Sequence, residues 1–156
     1  MGTIRRFAVV SSTQDLANEL AARGAEAGTV VVAGHQEKGR GTRGRLWASG
    51  SGGVWLSTIL RPAARQMEAL SVRIGLELAE SLTMLTAPER VDLKWPNDLL
   101  ARGRKLGGIL VEARWSGSEP AWVVVGVGLN VSNALPDDLA ATAIRLADLG
   151  CSAEPA

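Results

Sequence analysis

The sequence from residue 94 to residue 112 reads KWPNDLLARGRKLGGILVE, and this stretch decides the fold. The β-prone residues before Pro96 predict a strand over 91–95, because proline cannot donate to a strand ladder. A second strand is expected over 105–115, where a continuous Ile-Leu-Val run follows two glycines. A third is expected over 123–127, and the turn-like residues 116–120 should join it to the second as a hairpin.

Outside that stretch, strand and helix patterns are mixed along the chain. Apolar or alternating runs predict three more strands, at Phe7–Val10, Thr29–Ala33 and Val54–Leu60. Caps and apolar stripes predict three helices: one after the hydroxyl residues Ser11–Thr13 that ends at Gly24, one over Met67–Leu85 and one over Asp137–Leu149. Hairpins mixed with helices indicate an α/β or α+β sheet fold and not a strictly alternating parallel fold.

The composition is that of one ordinary globular domain. The chain has 156 residues, of which 46% are hydrophobic and 21% charged. A formal net charge of +1 provides no global field that would recruit nucleic acid or an anionic membrane. The only cysteine, Cys151, excludes an intrachain disulfide and a cysteine zinc cluster, and a single histidine, His35, argues against a Ser-His-Asp hydrolase. The apolar run near the N-terminus is too short for a signal segment, and a cytoplasmic location is therefore expected.

A glycine- and arginine-rich segment, 34–53, is predicted to be a long loop. Its central part, Gly39–Arg45, contains a GxGxxG spacing, but no helix can follow it, so the dinucleotide-binding interpretation is rejected. Glycines let backbone N–H groups approach a phosphate, and arginines supply bidentate donors, so the loop fits an anion clamp for a phosphorylated small molecule. On charge alone, a basic surface loop, including one that touches nucleic acid, is the favoured alternative.

Polar side chains gather at the predicted strand ends, where sheet proteins place many of their sites. Asn97 and Asp98 are candidates to orient Mg²⁺ or a phosphate-bound water, and Lys94 to neutralise phosphate. A Pro-Asn-Asp turn explains the same residues without a ligand. Lys105 leads into a strand whose glycines leave room for a ligand, and Gly126–Asn130 ends the next strand in a similar way. A solvated lysine and a tightly packed strand pair are the plain alternatives.

Together these segments resemble the biotin–protein ligase family. The order and approximate spacing are those of the family from Phe7 to Asn130, in five segments: Ser12-Thr13, Gln36 with Gly39–Arg45, Lys94–Asp98, Lys105–Glu112 and Gly126–Asn130. The combination of KWPND with KLGGILVE distinguishes the chain from lipoate ligases, which share the fold. The resemblance is to the class without an N-terminal DNA-binding domain, because nothing before Phe7 has the length of a winged helix, and no DNA partner is expected.

The resemblance implies a mixed β-sheet with helices packed on one side. It also implies an ATP-dependent ligase that forms biotinyl-5′-AMP and passes biotin to a lysine of a biotin carboxyl carrier protein. The implied catalytic residues are Lys105, Arg40 and Arg45. The implied biotin-binding residues are Ser12, Thr13, Gln36, Gly39, Arg40, Trp47, Lys105, Gly108 and Gly126. The implied ATP-binding residues are Arg43, Arg45, Lys94, Asn97, Asp98 and Asn130, with Asn97 and Asp98 also as Mg²⁺ ligands.

The chain departs from the family pattern in two ways. Thr42 stands where the family usually has an arginine, so a cation thought to help retain the adenylate is absent. The expected organisation is a catalytic domain over 1–150 and a disordered tail over 151–156, without the C-terminal SH3-like domain of the family. By analogy with some relatives, exposed sheet edges are expected to allow a homodimer. No membrane partner is expected.

Three rival functions stand beside the ligase function. One is a nucleic-acid-binding protein built on the arginine loop, which the near-zero net charge disfavours. Another is a non-catalytic or truncated biotin- or adenylate-binding module, which would hold ligand without labelling a carrier. The third is a ligase of the same class that acts on lipoate or octanoate.

Overall fold

The strand and helix patterns fold into seven strands and two α-helices over residues 2–151, the part of the chain that the computed structural model describes. The strands are β1 (Ile4–Val10), β2 (Val30–Gln36), β3 (Val54–Leu60), β4 (Val91–Lys94), β5 (Asp98–Ala101), β6 (Arg104–Ser116) and β7 (Glu119–Leu129). The helices are α1 (Thr13–Ala22) and α2 (Leu70–Thr86). None of the helices described is long and apolar enough to cross a lipid bilayer.

All seven strands form one sheet, in the order β1-β2-β3-β7-β6-β5-β4. β1 and β2 run parallel, and the other five neighbouring pairs are antiparallel. The predicted mixed sheet and the predicted hairpin of β6 with β7 are confirmed. At the turn of that hairpin Gly117 has a φ of 62°, which glycine adopts without the steric cost of a side chain.

The two helices pack against opposite faces of the sheet. Ala17 and Ala21 of α1 share a buried cluster with Val124 of β7. α2 instead packs on the face that carries Val123 and Val125. Because consecutive strand residues point to opposite faces, these two sets lie on opposite sides. The mixed sheet is as predicted. The prediction that the helices pack on one side of the sheet is wrong.

Local signals located α1 and β3 well. The Ser12 side chain accepts a hydrogen bond from the Asp15 backbone N–H at 3.4 Å, as the capping pattern predicts. β3 has the predicted bounds, whereas β2 continues to Gln36, three residues into the predicted loop. This extension brings the Gln36 side chain to a buried position at the end of a strand.

β5 was not predicted. It occupies only four residues after the Pro96 turn, yet Leu99 and Ala101 are almost fully buried. A two-residue turn, Arg102-Gly103, joins it to β6, and both residues have positive φ values, 51° and 71°. That backbone matches the right-handed twist of a tight hairpin, so a short strand can pair there without a long apolar run.

The predicted helix over Asp137–Leu149 is wrong. Two short 3-10 turns, Asp137–Leu139 and Leu146–Leu149, enclose an extended segment. Lys105 N–H donates to Thr142 O at 2.8 Å, and Ile144 N–H donates to Lys105 O at 2.9 Å. Ile144 is fully buried in this arrangement, and its burial against the sheet outweighs the weak helical pattern. The predicted disordered tail lies outside the described residues, apart from Cys151.

Candidate active site

A cavity of about 300 Å³ opens on the face of the sheet that carries α1. Its volume is at the lower end of the range of small-molecule sites. Eleven of the residues predicted for the site line it: Thr13, Gln36, Arg40, Arg45, Trp47, Asn97, Asp98, Lys105, Gly108, Gly126 and Asn130. Residues distant in sequence are therefore brought to one place by α1, β6, β7 and the loop before β3.

The floor of the cavity is neutral and polar. Gln36 Oε1 accepts hydrogen bonds from Thr13 N at 2.7 Å and from Thr13 Oγ1 at 3.0 Å. The hydroxyl oxygens of Thr13 and Ser57 lie 2.9 Å apart. All three residues are at least 91% buried. Such a floor can exchange hydrogen bonds with an uncharged polar ligand, and it would disfavour a buried charge.

Gln14 connects this floor to β6. Its Nε2 donates to Glu112 Oε2 at 3.0 Å and to Val124 O at 3.2 Å, and its Oε1 accepts from Ser57 Oγ at 3.0 Å. Gln14 is 3% exposed. The amide thus satisfies buried groups from three elements, which fixes the geometry of the floor.

The glycine-arginine loop is an ordered hairpin and not an open loop. Gly41 N–H donates to Arg45 O at 2.8 Å, and Trp47 N–H donates to Gly39 O at 2.9 Å. Arg43 at its tip has a φ of 59°. The Arg45 side chain folds back on Thr42, because Nη2 donates to Thr42 Oγ1 at 3.0 Å. Thr42 therefore contacts a neighbouring cation at the position where an arginine was expected.

Arg40 is held by two carboxylates. Its Nη1 lies 2.6 Å from Asp15 Oδ1, and its Nη2 lies 2.7 Å from Glu112 Oε1. Partial burial disfavours the charged guanidinium, but the hydrogen bonds and charges of Asp15 and Glu112 outweigh it and raise the pKa of Arg40. Arg40 remains a cation at any physiological pH, and its guanidinium makes three hydrogen bonds to these two carboxylates.

Trp47 covers the sheet at two glycines. A Cβ at Gly128 would lie 2.8 Å from Trp47 Nε1, and a Cβ at Gly108 would lie 3.2 Å from its Cζ3. The glycines allow the indole to lie flat against the strands. Trp47 Nε1 is buried and finds no acceptor among residues 2–151. An N–H group without a partner beside a cavity can donate a hydrogen bond to an acceptor atom of a ligand.

Lys105 lies between a carboxylate and an aromatic ring. Its Nζ is 2.6 Å from Asp98 Oδ1 and 5.0 Å from the centroid of Trp47. The two paired side chains are 30% and 21% exposed. The ammonium is thus oriented at the cavity wall and remains accessible to an incoming anion.

Asn97 and Asn130 support the backbone around the lysine. Asn97 Nδ2 donates to Ile109 O at 2.9 Å, and Asn130 Nδ2 donates to Lys105 O at 3.4 Å. No group of three or more His, Cys, Asp or Glu side chains within the described range is arranged to hold a metal ion. A magnesium ion bound mainly through phosphates needs only one or two protein carboxylates, and Asp98 fits that smaller role.

Four predicted site residues do not line the cavity. Ser12 caps α1, and Lys94 and Arg43 are exposed side chains. Gly39 is buried under the loop, where a Cβ would collide with Ser49 Oγ. Its contribution is close packing of the loop, which requires a residue without a side chain.

Residues 6–130 match the model of the Biotin/lipoate A/B protein ligase family. The chain belongs to this family.

Individual relatives within the family are named for biotin. The biotin–[acetyl-CoA-carboxylase] ligase of Mycobacterium tuberculosis is 41% identical over 159 residues, covering 96% of this chain and 58% of the relative. The biotin protein ligase of Aquifex aeolicus in complex with biotin and ATP has a TM-score of 0.79 and 32% identity, over 96% of this chain and 61% of that one. The Leishmania major enzyme in complex with biotinyl-5-AMP has a TM-score of 0.81 and 26% identity, over 98% of this chain and 68% of that one.

The chain spans about half the length of similar curated ligases, between 42% and 58% for three of them. Its fold and its family are shared with these ligases.

Several site residues were not predicted from the sequence: Gln14, Ser49, Ser57, Glu112, Leu135, Pro136 and Leu139. One signal was available for Ser57. It lies on the inward-facing side of β3 between Trp55 and Ile59, both fully buried, so a small polar residue there marks a polar spot inside the protein. The others are ordinary in their sequence context and become visible only through the fold.

Proposed function

We propose that this chain is the catalytic module of a biotin–protein ligase. It would join biotin to ATP as biotinyl-5′-AMP and then pass the biotinyl group to a lysine of a biotin carboxyl carrier protein. The observation that carries the proposal is a cavity with a neutral polar floor and a cationic rim that contains Lys105. A ligand with an uncharged polar ring at one end and a carboxylate at the other matches that division.

The ureido ring of biotin is assigned to the polar floor. Thr13 and Gln36 would exchange hydrogen bonds with its N–H and C=O groups, and Ser57 lies within the same network. Trp47 and the glycines of β6 and β7 would contact the apolar part. The residues proposed for biotin are Ser12, Thr13, Gln36, Gly39, Arg40, Trp47, Lys105, Gly108 and Gly126, with Ser12 and Gly39 acting through helix and loop structure.

In the first half-reaction a carboxylate oxygen of biotin attacks the α-phosphorus of ATP, and pyrophosphate leaves. Two anions must approach each other, so the main task of the protein is to cancel their repulsion and hold them in line. Lys105 is the residue proposed to contact both groups, with Arg45 as a further catalytic cation. Arg40 is proposed to add positive charge at the rim while its guanidinium stays hydrogen-bonded to Asp15 and Glu112. No general base is required for this step.

In the second half-reaction the amine of a carrier lysine attacks the acyl carbon of the adenylate. The C–N bond forms, the bond from the acyl carbon to the phosphate oxygen breaks, and AMP leaves with that oxygen. The nitrogen loses one proton, which passes to solvent. The hairpin of Gly39–Arg45 would keep water away from the mixed anhydride in the interval. Because Thr42 replaces an arginine there, weaker retention of the adenylate is part of the proposal.

The nucleotide is assigned to the side of the cavity formed by the strand ends and the C-terminal segment. The residues proposed for it are Arg43, Arg45, Lys94, Asn97, Asp98 and Asn130, of which Arg43 and Lys94 are exposed and lie outside the cavity lining. Mg²⁺ would supply charge neutralisation at the phosphates when bound, with Asp98 as its carboxylate ligand and Asn97 as an amide oxygen donor.

Three further points belong to the proposal. The carrier is a biotinyl domain of a carboxylase, as the name of the M. tuberculosis relative suggests. The location is the cytoplasm. A homodimer through a sheet edge is supported by β1, an edge strand on which Ile4 and Val9 are more than half exposed.

The family also contains lipoate ligases, so the acyl group needs a direct test. Calorimetry with biotin, and then with lipoate as competitor, measures which acid the cavity prefers. Binding of biotin that excess lipoate does not displace supports the proposal, because lipoate has no ureido group for the floor. Preferential binding of lipoate would overturn it. Tight biotin binding without adenylate formation from MgATP would favour a binding module instead of an enzyme.

A further inference from the structure

Arg40 joins the loop hairpin to two separate elements of the fold. Asp15 belongs to the first turn of α1, and Glu112 belongs to β6. Besides the two short contacts described above, Arg40 Nη1 donates to Glu112 Oε2 at 3.2 Å. The guanidinium therefore binds Glu112 through both nitrogens and Asp15 through one, which fixes its orientation as a single ion pair would not.

The Glu112 carboxylate is itself oriented by a hydrogen bond from a buried residue. Gln14 Nε2 donates to Glu112 Oε2, and Gln14 is 97% buried and bound to the backbone of β7. An exposed ion pair between two flexible side chains contributes little, because both must lose freedom to form it. Here the carboxylate is already oriented by a buried amide, so this loss is smaller on one side of the pair.

The other end of the loop is attached to the same network. Gln36 Nε2 donates to Ser49 Oγ at 2.8 Å, and Ser49 Oγ donates to Trp47 O at 2.9 Å. Gln36 is bound to Thr13, which adjoins Ser57 and through it Gln14. Hydrogen bonds thus run from Arg40 at the beginning of the hairpin, under the cavity floor, to Ser49 beyond its end.

The charges around Arg40 indicate a structural role for its guanidinium. One guanidinium faces two carboxylates, so this cluster carries one surplus negative charge, and Arg40 makes three hydrogen bonds to those carboxylates. Arg40 thus connects the loop hairpin to α1 and to β6 through its ion pairs.

We propose that Asp15 and Glu112 are positioning residues that latch Arg40 and so hold the Gly39–Arg45 hairpin over the cavity. For its kinetic consequence this inference rests on the proposed function. The two carboxylates touch neither biotin nor ATP, and they act through Arg40. Loosening the latch should accelerate opening of the hairpin and escape of ligand while leaving the chemistry at Lys105 in place.

The test uses Glu112→Gln and Asp15→Asn in the full chain. Glutamine keeps an acceptor for Gln14 but loses the charge that binds Arg40. Asparagine keeps the backbone N–H that Ser12 caps. Glu19→Gln is the matched control, because Glu19 is an exposed carboxylate of α1 whose partner Arg23 lies one turn away on the helix.

The first readout needs no ligand. Amide hydrogen exchange is followed at Gly41 and Trp47, whose N–H groups close the hairpin. We expect exchange about three- to tenfold faster in both latch variants, the size of effect for losing a charge-assisted hydrogen bond at a partly exposed site. Glu19→Gln should leave it unchanged. Unchanged exchange in both latch variants would overturn the inference.

The second readout separates binding from chemistry. In biotin-dependent pyrophosphate exchange, the latch variants should raise KM for biotin severalfold and leave kcat within about twofold. Loss of kcat with unchanged KM would overturn the positioning role. If the wild-type chain makes no adenylate, the proposed function fails, and the exchange rates at Gly41 and Trp47 still decide whether the latch exists. Arg40→Lys should reproduce the faster exchange, since an ammonium cannot span both carboxylates.

Discussion

Lys105 on β6 and Asp98 on β5 form an ion pair across neighbouring strands, with Nζ 2.6 Å from Oδ1. The pair keeps the ammonium that lines the cavity in one orientation, over Trp47. It also ties the proposed catalytic cation to the proposed magnesium ligand. In the proposal Asp98 would hold Mg²⁺ and Lys105 would face the phosphates, so the two proposed roles meet at one position.

Replacing the lysine should strongly slow adenylate formation. Lys105→Ala removes the cation between the two reacting anions and leaves Asp98 without its partner, so we expect kcat to fall by about 10²–10³-fold. Pyrophosphate exchange with biotin and MgATP measures the effect. Lys38→Ala is the control, since Lys38 is exposed and has no assigned part in the site. Comparable activity in Lys105→Ala would contradict its catalytic role.

The position of the Trp47 indole should depend on the absence of a side chain at Gly128. In Gly128→Ala the new methyl group would lie 2.8 Å from Trp47 Nε1, so the indole must move away from the strand. Overpacking of this kind typically costs about 1–3 kcal/mol. If biotin binding requires the indole in its original place, biotin affinity should fall by at most roughly 5- to 150-fold. Calorimetry measures it.

Gly50→Ala provides the matched control in the same region. A Cβ at Gly50 would meet no atom within 4 Å, and its φ is not in the left-handed region. Biotin affinity should be the same in this variant as in the wild type. Equal affinities for all three proteins would show that Trp47 is not held against the strand as described.

The floor network should contribute to stability as well as to binding. Ser57→Ala removes a fully buried hydroxyl and leaves Gln14 Oε1 without its donor. We expect the free energy of unfolding to fall by about 1–3 kcal/mol, as measured by urea denaturation. The exposed Ser81, whose hydroxyl bonds its own helix at Glu77 O, is the comparison: Ser81→Ala should change stability much less. A neutral Ser57→Ala would argue against the network.

The segment beside Lys105 should weaken in acid. The Arg145 side chain hydrogen-bonds Asp148 and lowers the pKa of that carboxyl below its ordinary value of 3.8, against a smaller opposing effect of burial. A carboxyl with a lowered pKa stabilises the fold above its unfolded value and ceases to do so as the pH falls through its folded value. Asp148→Asn should therefore lose about 1 kcal/mol or less at pH 7, because the pair is partly exposed.

The same variant should differ little from the wild type at a pH well below the folded pKa of Asp148, where both side chains are uncharged. Denaturation at neutral and at strongly acidic pH gives the comparison. A deficit in Asp148→Asn that stays constant into strong acid would mean that the ionised carboxylate is not what stabilises the segment.

Local patterns were sufficient for the elements that local chemistry controls. The Ser12 cap and the apolar spacing located α1, and the alternating run located β3. The segment over Asp137–Leu149 has similar helical features, but Ile144 gains more from burial beside β6 than the segment gains from helix formation. Such competition between local propensity and tertiary burial is not visible in a single sequence.

The residues of the candidate site also divide into those that the sequence reveals and those that only the fold reveals. Lys105, Trp47 and Gly126 stand in or beside segments with a distinctive sequence, so a family resemblance is enough to single them out. Gln14 and Glu112 do not stand out, since a polar residue in a helix or a strand has many ordinary explanations. Their importance comes from convergence on Arg40 from two elements, which depends on strand register and helix placement.

Transfer of biotin to a carrier tests the central claim most directly. The purified chain is incubated with biotin, MgATP and a biotin-carrier domain, and the carrier is probed by avidin blot, with Lys105→Ala alongside. The proposal predicts labelling of the carrier by the wild-type chain and strongly reduced labelling by the variant. An unlabelled carrier, with biotin still bound by calorimetry, would contradict the claim that this chain is a ligase.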